Sequence, residues 1–147
     1  MKDVHIVVGV LALGLNLLAF VLGAVAWLRR GPSAWFWRLL RSGQAFVAIE
    51  AALGGILLLM GRKAAELHYL YGALPLVVAM IAEQLKLSAA TMVLDSHELE
   101  NAQAVGRLPQ EQQREIVFSI MRRELGTMTL AALVVTALLA RAAMVVH

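Results

Sequence analysis

The chain has 147 residues, of which 61% are hydrophobic and only 16% charged, with a formal net charge of +3. A typical soluble domain is about 45–50% apolar and about 25% charged, so a water-soluble fold of this length could not hide this much apolar surface, and lipid is the expected solvent. The absence of cysteine excludes disulfides, thiolate metal sites, iron–sulfur clusters and cysteine nucleophiles.

The first apolar segment runs from about 4 to 28. It is too long for a signal-peptide core, has no small-residue cleavage motif after it, and is followed by Arg29 and Arg30, as expected of a first membrane span with a positive flank. Gly31-Pro32-Ser33 breaks the chain. A second span is expected at about 35–60, ended by Gly61-Arg62-Lys63, and a third at about 67–87. The fourth covers about 125–146, and each of the four reaches the roughly 20 residues that a span requires.

Between the third and fourth spans the sequence is polar but continues at helical spacing through Leu87, Leu94 and Leu99. The one turn signal is Gly106-Arg107-Leu108-Pro109, with Pro109 suited to a helix start; Ile116 and Ile120 then stand four apart. The expectation is an all-α integral membrane protein: an antiparallel four-helix transmembrane bundle. Its third and fourth helices extend over about 88–124 into a cytoplasmic helical hairpin, each arm reaching about 25 Å at 1.5 Å per residue. The whole chain forms one domain.

Orientation follows from nine basic residues in the first connection and the hairpin (Arg29, Arg30, Arg38, Arg41, Lys86, Arg107, Arg114, Arg122, Arg123) against four elsewhere (Lys2, Arg62, Lys63, Arg141). The positive-inside rule puts both termini outside a cell membrane and the hairpin in the cytoplasm, with Trp27, Trp35 and Trp37 at the cytoplasmic interface. Asp95, Glu98, Glu100, Glu111, Glu115 and Glu124 make the hairpin a mixed-charge surface rather than a polybasic lipid anchor.

Small and polar residues recur along each span at three- and four-residue steps and read as packing seams. They run His5, Gly9, Ala12, Asn16, Ala19, Gly23 in the first; Gly43, Val47, Glu50, Gly54, Leu57, Gly61 in the second; His68, Gly72, Pro75, Ala79, Ala82, Lys86 in the third; and Gly126, Thr129, Leu133, Thr136, Ala140, Ala143 in the fourth. The intramembrane polar residues are Glu50, near the middle of its span, Asn16, expected at similar depth and within reach of it, and Glu83 and Gln84 nearer the cytoplasm. A mid-membrane carboxylate costs about 2.5–3.5 kcal/mol on insertion scales, so Glu50 is read either as a protonated strut or as a proton-carrying or ligand-contacting group.

The sequence echoes itself: residues 5–13 read HxxxGVLAL and residues 68–76 read HxxxGALPL. His5 and His68 therefore open parallel helices at one level, each with a glycine, Gly9 or Gly72, one turn below. Facing histidines on two helices could be the axial ligands of a haem b, with Gly9 and Gly72 making room for the porphyrin, Tyr69 or Tyr71 lining the pocket, and Arg62 and Lys63 pairing with propionates. The construction principle is similar to that of membrane b-type cytochromes, with no residue carried over from them. A metal site from His5, His68 and Glu66 is the weaker reading, since no HExxH or paired ExxH motif occurs; His97 reads as solvated and His147 as terminal. No nucleophile elbow, P-loop or dinucleotide fingerprint occurs, and the chain is read as non-enzymatic with no nucleic-acid partner.

Three functions follow in order of preference. The first is a non-catalytic subunit or adaptor that docks a membrane-complex partner or a second copy through Leu94, Leu99, Ile116, Ile120 and Met121 of the hairpin. The second is haem-based electron transfer or haem handling through His5 and His68. The third is proton or small-solute translocation through Glu50, with Asn16 and Glu83 along the route.

Overall fold

A computed structural model describes residues 1–31 and 33–145; Pro32, Val146 and His147, which the sequence assigns to the first break and the C-terminal end, lie outside the described residues. The described chain is helical without strands: α1 (Lys2–Arg29), α2 (Ala34–Leu59), α3 (Glu66–Ser96), the one-turn α4 (Ala102–Val105) and α5 (Gln110–Met144). The four longer helices are each long and apolar enough to cross a membrane.

Packing is uneven. Extensive contacts join α1 to α2, α1 to α5 and α3 to α5, whereas α2 and α3 meet sparsely. Neighbours run in opposite directions: Phe36 near the start of α2 faces Gly23 late in α1, and His68 at the start of α3 reaches Ala142 at the end of α5. The helix shared by α1 and α3 is thus α5. Its buried residues follow a heptad-like rhythm through Leu125, Met128, Ala132, Val135, Leu139 and Ala142, with Gly126 and Thr129 beside them. This corrects the expected fourth seam: Leu133 and Ala143 point outward, and Thr136 and Ala140 are half-buried. A helix with two neighbours buries a wider face than one small-residue stripe can mark.

The seams of α1, α2 and α3 match expectation more closely. Buried residues are Ala12, Asn16, Ala19 and Gly23 on α1, Gly43 and Val47 on α2, and Pro75 and Ala82 on α3. One core cluster gathers Ala19, Phe36, Leu40, Ala82 and Met128; a second, nearer the chain ends, gathers Ala12, Val47, Val135 and Leu139.

Three of the long helices stop in the same way. Each ends in a residue with positive φ: Arg30 (54°), Gly61 (77°) and Glu98 (56°). Each then closes a pair of reverse hydrogen bonds: Gly31 N–H to Ala26 O (3.1 Å), Arg62 N–H to Leu57 O (3.0 Å) and Leu99 N–H to Leu94 O (3.0 Å), with an inner bond beside each. These are Schellman caps, which satisfy carbonyls that a helix end leaves unpaired. The third cap corrects the expected hairpin. Instead of continuing to about Gln103, α3 ends at Ser96, and Leu94 and Leu99 are the two ends of a capping turn rather than successive points on one helix. His97 is exposed, as expected, and its Nδ1 also donates to Val93 O (2.9 Å) within the cap. Asn101 then starts α4, its Oδ1 accepting from Ala104 N–H (3.0 Å), and Pro109 precedes α5 as expected.

A side chain in the left-handed region costs about 1–2 kcal/mol that glycine avoids. Gly61→Ala is expected to destabilise the protein by about 1 kcal/mol and Glu98→Gly to stabilise it by up to about 1 kcal/mol. Thermal unfolding in detergent checks both, as midpoint shifts of opposite sign.

Candidate functional site

At the end of the molecule where α1 and α3 begin, three titratable side chains converge from three helices. His5 Nδ1 lies 3.1 Å from Glu50 Oε1. The approach is close but not aligned as a hydrogen bond, and His5 Nδ1 and Glu50 Oε2 are buried without a hydrogen-bond partner. His68 stands edge-on to His5, with ring centres 6.1 Å apart and planes at 77°. Its Nδ1 is 3.0 Å from Ala142 O. A carbonyl only accepts, so Nδ1 is the donor.

Glycines let this cluster form. A methyl group on Gly9 would come within 2.6 Å of Glu50 Oε1, and one on Gly54 within 3.5 Å of His5 Cε1. Glu50 thus rests on α1 in the space that the sequence reading reserves for a porphyrin edge. Gly72, by contrast, faces open space: a methyl group there would meet nothing within 4 Å.

Asn16 does not bond Glu50, contrary to the expectation from sequence. It is buried against Gly43, where a Cβ would lie 2.8 Å from its Nδ2, and it donates to Ala12 O in its own helix (2.8 Å). Gly43 and Glu50 are seven residues apart on α2, about 10 Å along the axis. The difference is one of depth: the midpoints of the two helices do not coincide, and the staggered spans set Glu50 level with His5 and Gly9 instead.

The other candidates divide. Tyr69 stands edge-on to His68 at 6.3 Å, and its hydroxyl accepts from Ala64 N–H (2.7 Å), fixing the turn before α3. Tyr71 lies under Arg141 (5.9 Å). Arg62 and Lys63 are exposed in the connection between α2 and α3, and Glu66 is exposed at the start of α3. Among the described residues no group of three His, Asp or Glu side chains is placed to hold a metal ion.

Glu83 belongs to a separate cluster, unforeseen in the sequence, that bridges the sparse α2–α3 face. Arg41 binds both its carboxylate oxygens, and Gln44 Nε2 donates to Oε1 (3.0 Å). Lys86 lies 4.0 Å from Glu83 Oε2 and 5.0 Å from the Trp37 ring centre. Gln84 points outward beside it. Arg41 and Glu83 are 42 residues apart, and only their opposite charges hint at the pairing.

Comparison with known proteins gives no matching family model, no matching curated protein and no matching solved structure.

Because Gly43 is filled by Asn16 while Gly55 faces open space, Gly43→Val is expected to cost roughly 1–3 kcal/mol and Gly55→Val to stay within about 0.5 kcal/mol. Paired unfolding titrations in detergent check the contrast.

Proposed function

We propose that this chain is a non-enzymatic membrane subunit, a four-helix bundle spanning the bilayer, that holds a b-type haem between His5 and His68. One observation carries the reading: the two imidazoles stand edge-on to each other from different helices with ring centres 6.1 Å apart, His68 bonding Ala142 O through Nδ1 and His5 holding its Nδ1 3.1 Å from Glu50 Oε1. Metal-binding histidines nearly always engage their second nitrogen, as His68 does here. His5 and His68 would be the residues that hold the haem iron, imidazole being its usual protein ligand. The sparse α2–α3 face and the open surroundings of Gly72 favour lateral entry, while the Glu50-filled surface of Gly9 requires that side to give way. Bound haem would supply one-electron transfer. His5 and His68 would ligate through Nε2, and Glu50 would orient the His5 ring and strengthen it as an electron donor.

In protein from haem-supplied cells a Soret band is expected, absent from His5→Ala and His68→Ala and with haem affinity lowered roughly 10–100-fold in Glu50→Gln. A colourless wild-type protein, or a band retained by His68→Ala, would overturn the reading.

Docking through the α3–α5 extension is a second reading, supported by one feature. Val117, Phe118 and Met121 are exposed on α5 beside Arg114 and line a shallow groove. They replace most of the set expected from sequence: Ile116 is buried, and Leu94, Leu99 and Ile120 are half-buried. Val117→Glu should then abolish co-purification of a partner or a second copy, as read by cross-linking in membranes. A translocation route gains no support, because Ala12, Val47, Val135 and Leu139 form an apolar layer next to Asn16 and Gly43, on the way from Glu50 to Glu83.

A further inference from the structure

At the opposite end from the histidines, the last turn of α1, the first turn of α2, Lys86 of α3 and one face of α5 line a half-open cavity of about 240 Å³. Three cations line it, Arg30, Lys86 and Arg122, against one carboxylate, Glu124. Neither Arg30 nor Arg122 forms an ion pair among the described residues. Their backbones are fixed: Arg30 sits in the left-handed residue of the α1 cap, and Arg122 lies within α5. Trp27 and Trp37 form walls, and Phe118 and Leu125 supply apolar surface. Trp27 is held in place by Gly126, where a Cβ would come within 3.2 Å of the indole, and Trp37 by Lys86 above its ring.

Unpaired arginines, indoles and apolar surface in one recess answer the three zones of a membrane lipid in order: phosphate, glycerol–ester region and upper acyl chain. The recess also lies where the apolar helices give way to charged sequence. Its volume falls below the roughly 300–1,000 Å³ of sites that enclose a drug-sized molecule, and so suits a headgroup whose chains stay in the bilayer. We infer that this cavity is a binding site for the headgroup of an anionic phospholipid, clamped by Arg30, Lys86 and Arg122 between Trp27 and Trp37. The inference rests on the membrane-spanning part of the proposed function and is independent of haem.

The full chain is reconstituted in phosphatidylcholine vesicles containing a tenth phosphatidylglycerol, with bromine on the upper acyl chain of one lipid or the other, and tryptophan quenching is measured. Brominated phosphatidylglycerol is expected to quench beyond its mole fraction. Arg122→Gln and Arg30→Gly, the latter suited to the left-handed backbone, should each lower the apparent affinity about fivefold. Arg38→Gln, which removes a charge beside Trp35 outside the cavity, should leave it unchanged. Quenching in proportion to mole fraction, or equal effects of Arg38→Gln and Arg122→Gln, would overturn the site. Millimolar inorganic phosphate that competes as well as the lipid would overturn the lipid as occupant. Quenching by neither brominated lipid would overturn membrane insertion itself, a result distinct from the others.

Discussion

Helix contact in this protein depends on glycine accepting a neighbour's larger side chain. Glu50 rests on Gly9, Asn16 on Gly43, Trp27 on Gly126, and Phe36 together with Thr129 on Gly23. Where lipid surrounds apolar helices, burying more leucine gains nothing, so close packing must hold the helices together, and glycine allows it at least separation. The same seats bring polar atoms inside: Asn16 meets its need through Ala12 O, while Thr129 Oγ1 and Glu50 Oε2 are buried without a hydrogen-bond partner. Such unsatisfied atoms are costly, and the two fall at different places: one at a three-helix junction, the other in the histidine cluster.

Polar chemistry is confined to the two ends. The His5–Glu50–His68 group lies at one and the Arg41–Glu83–Lys86 group toward the other, with apolar layers and the self-satisfied Asn16 between them. The second group has a mechanical role as well. The α2–α3 face has few other contacts, and a two-pronged guanidinium–carboxylate pair fixes the angle as well as the distance between helices. Half-exposed, that pair contributes less to stability than to geometry.

Much of this is legible in the sequence. Four apolar runs mark α1 and α2 closely and fall within the longer α3 and α5, and the glycine-bearing stripes mark the inner faces of α1, α2 and α3. The HxxxG echo brings His5 and His68 to one end because both open helices of the same direction. What the sequence hides depends on three-dimensional register. Positions within their spans place Glu50 and Asn16 at one depth, which ignores how far one helix slides along another. The α3 cap is concealed because Glu98 adopts a conformation for which the sequence cue is normally glycine or asparagine. The cation-lined cavity draws on four helices, so no linear segment displays it; the mixed charge of the 88–124 region masks the local imbalance of three cations to one carboxylate.

The position of α5 between α1 and α3 also bears on biogenesis. The chain leaves the ribosome in the order α1, α2, α3, α5, and the first two can associate at once through their glycine seats. The third has only a sparse surface to meet on α2, and its main neighbour is still being synthesised. Assembly therefore concludes rather than begins with the α3 interface: the closing helix arrives last and unites two halves that had little hold on each other before it.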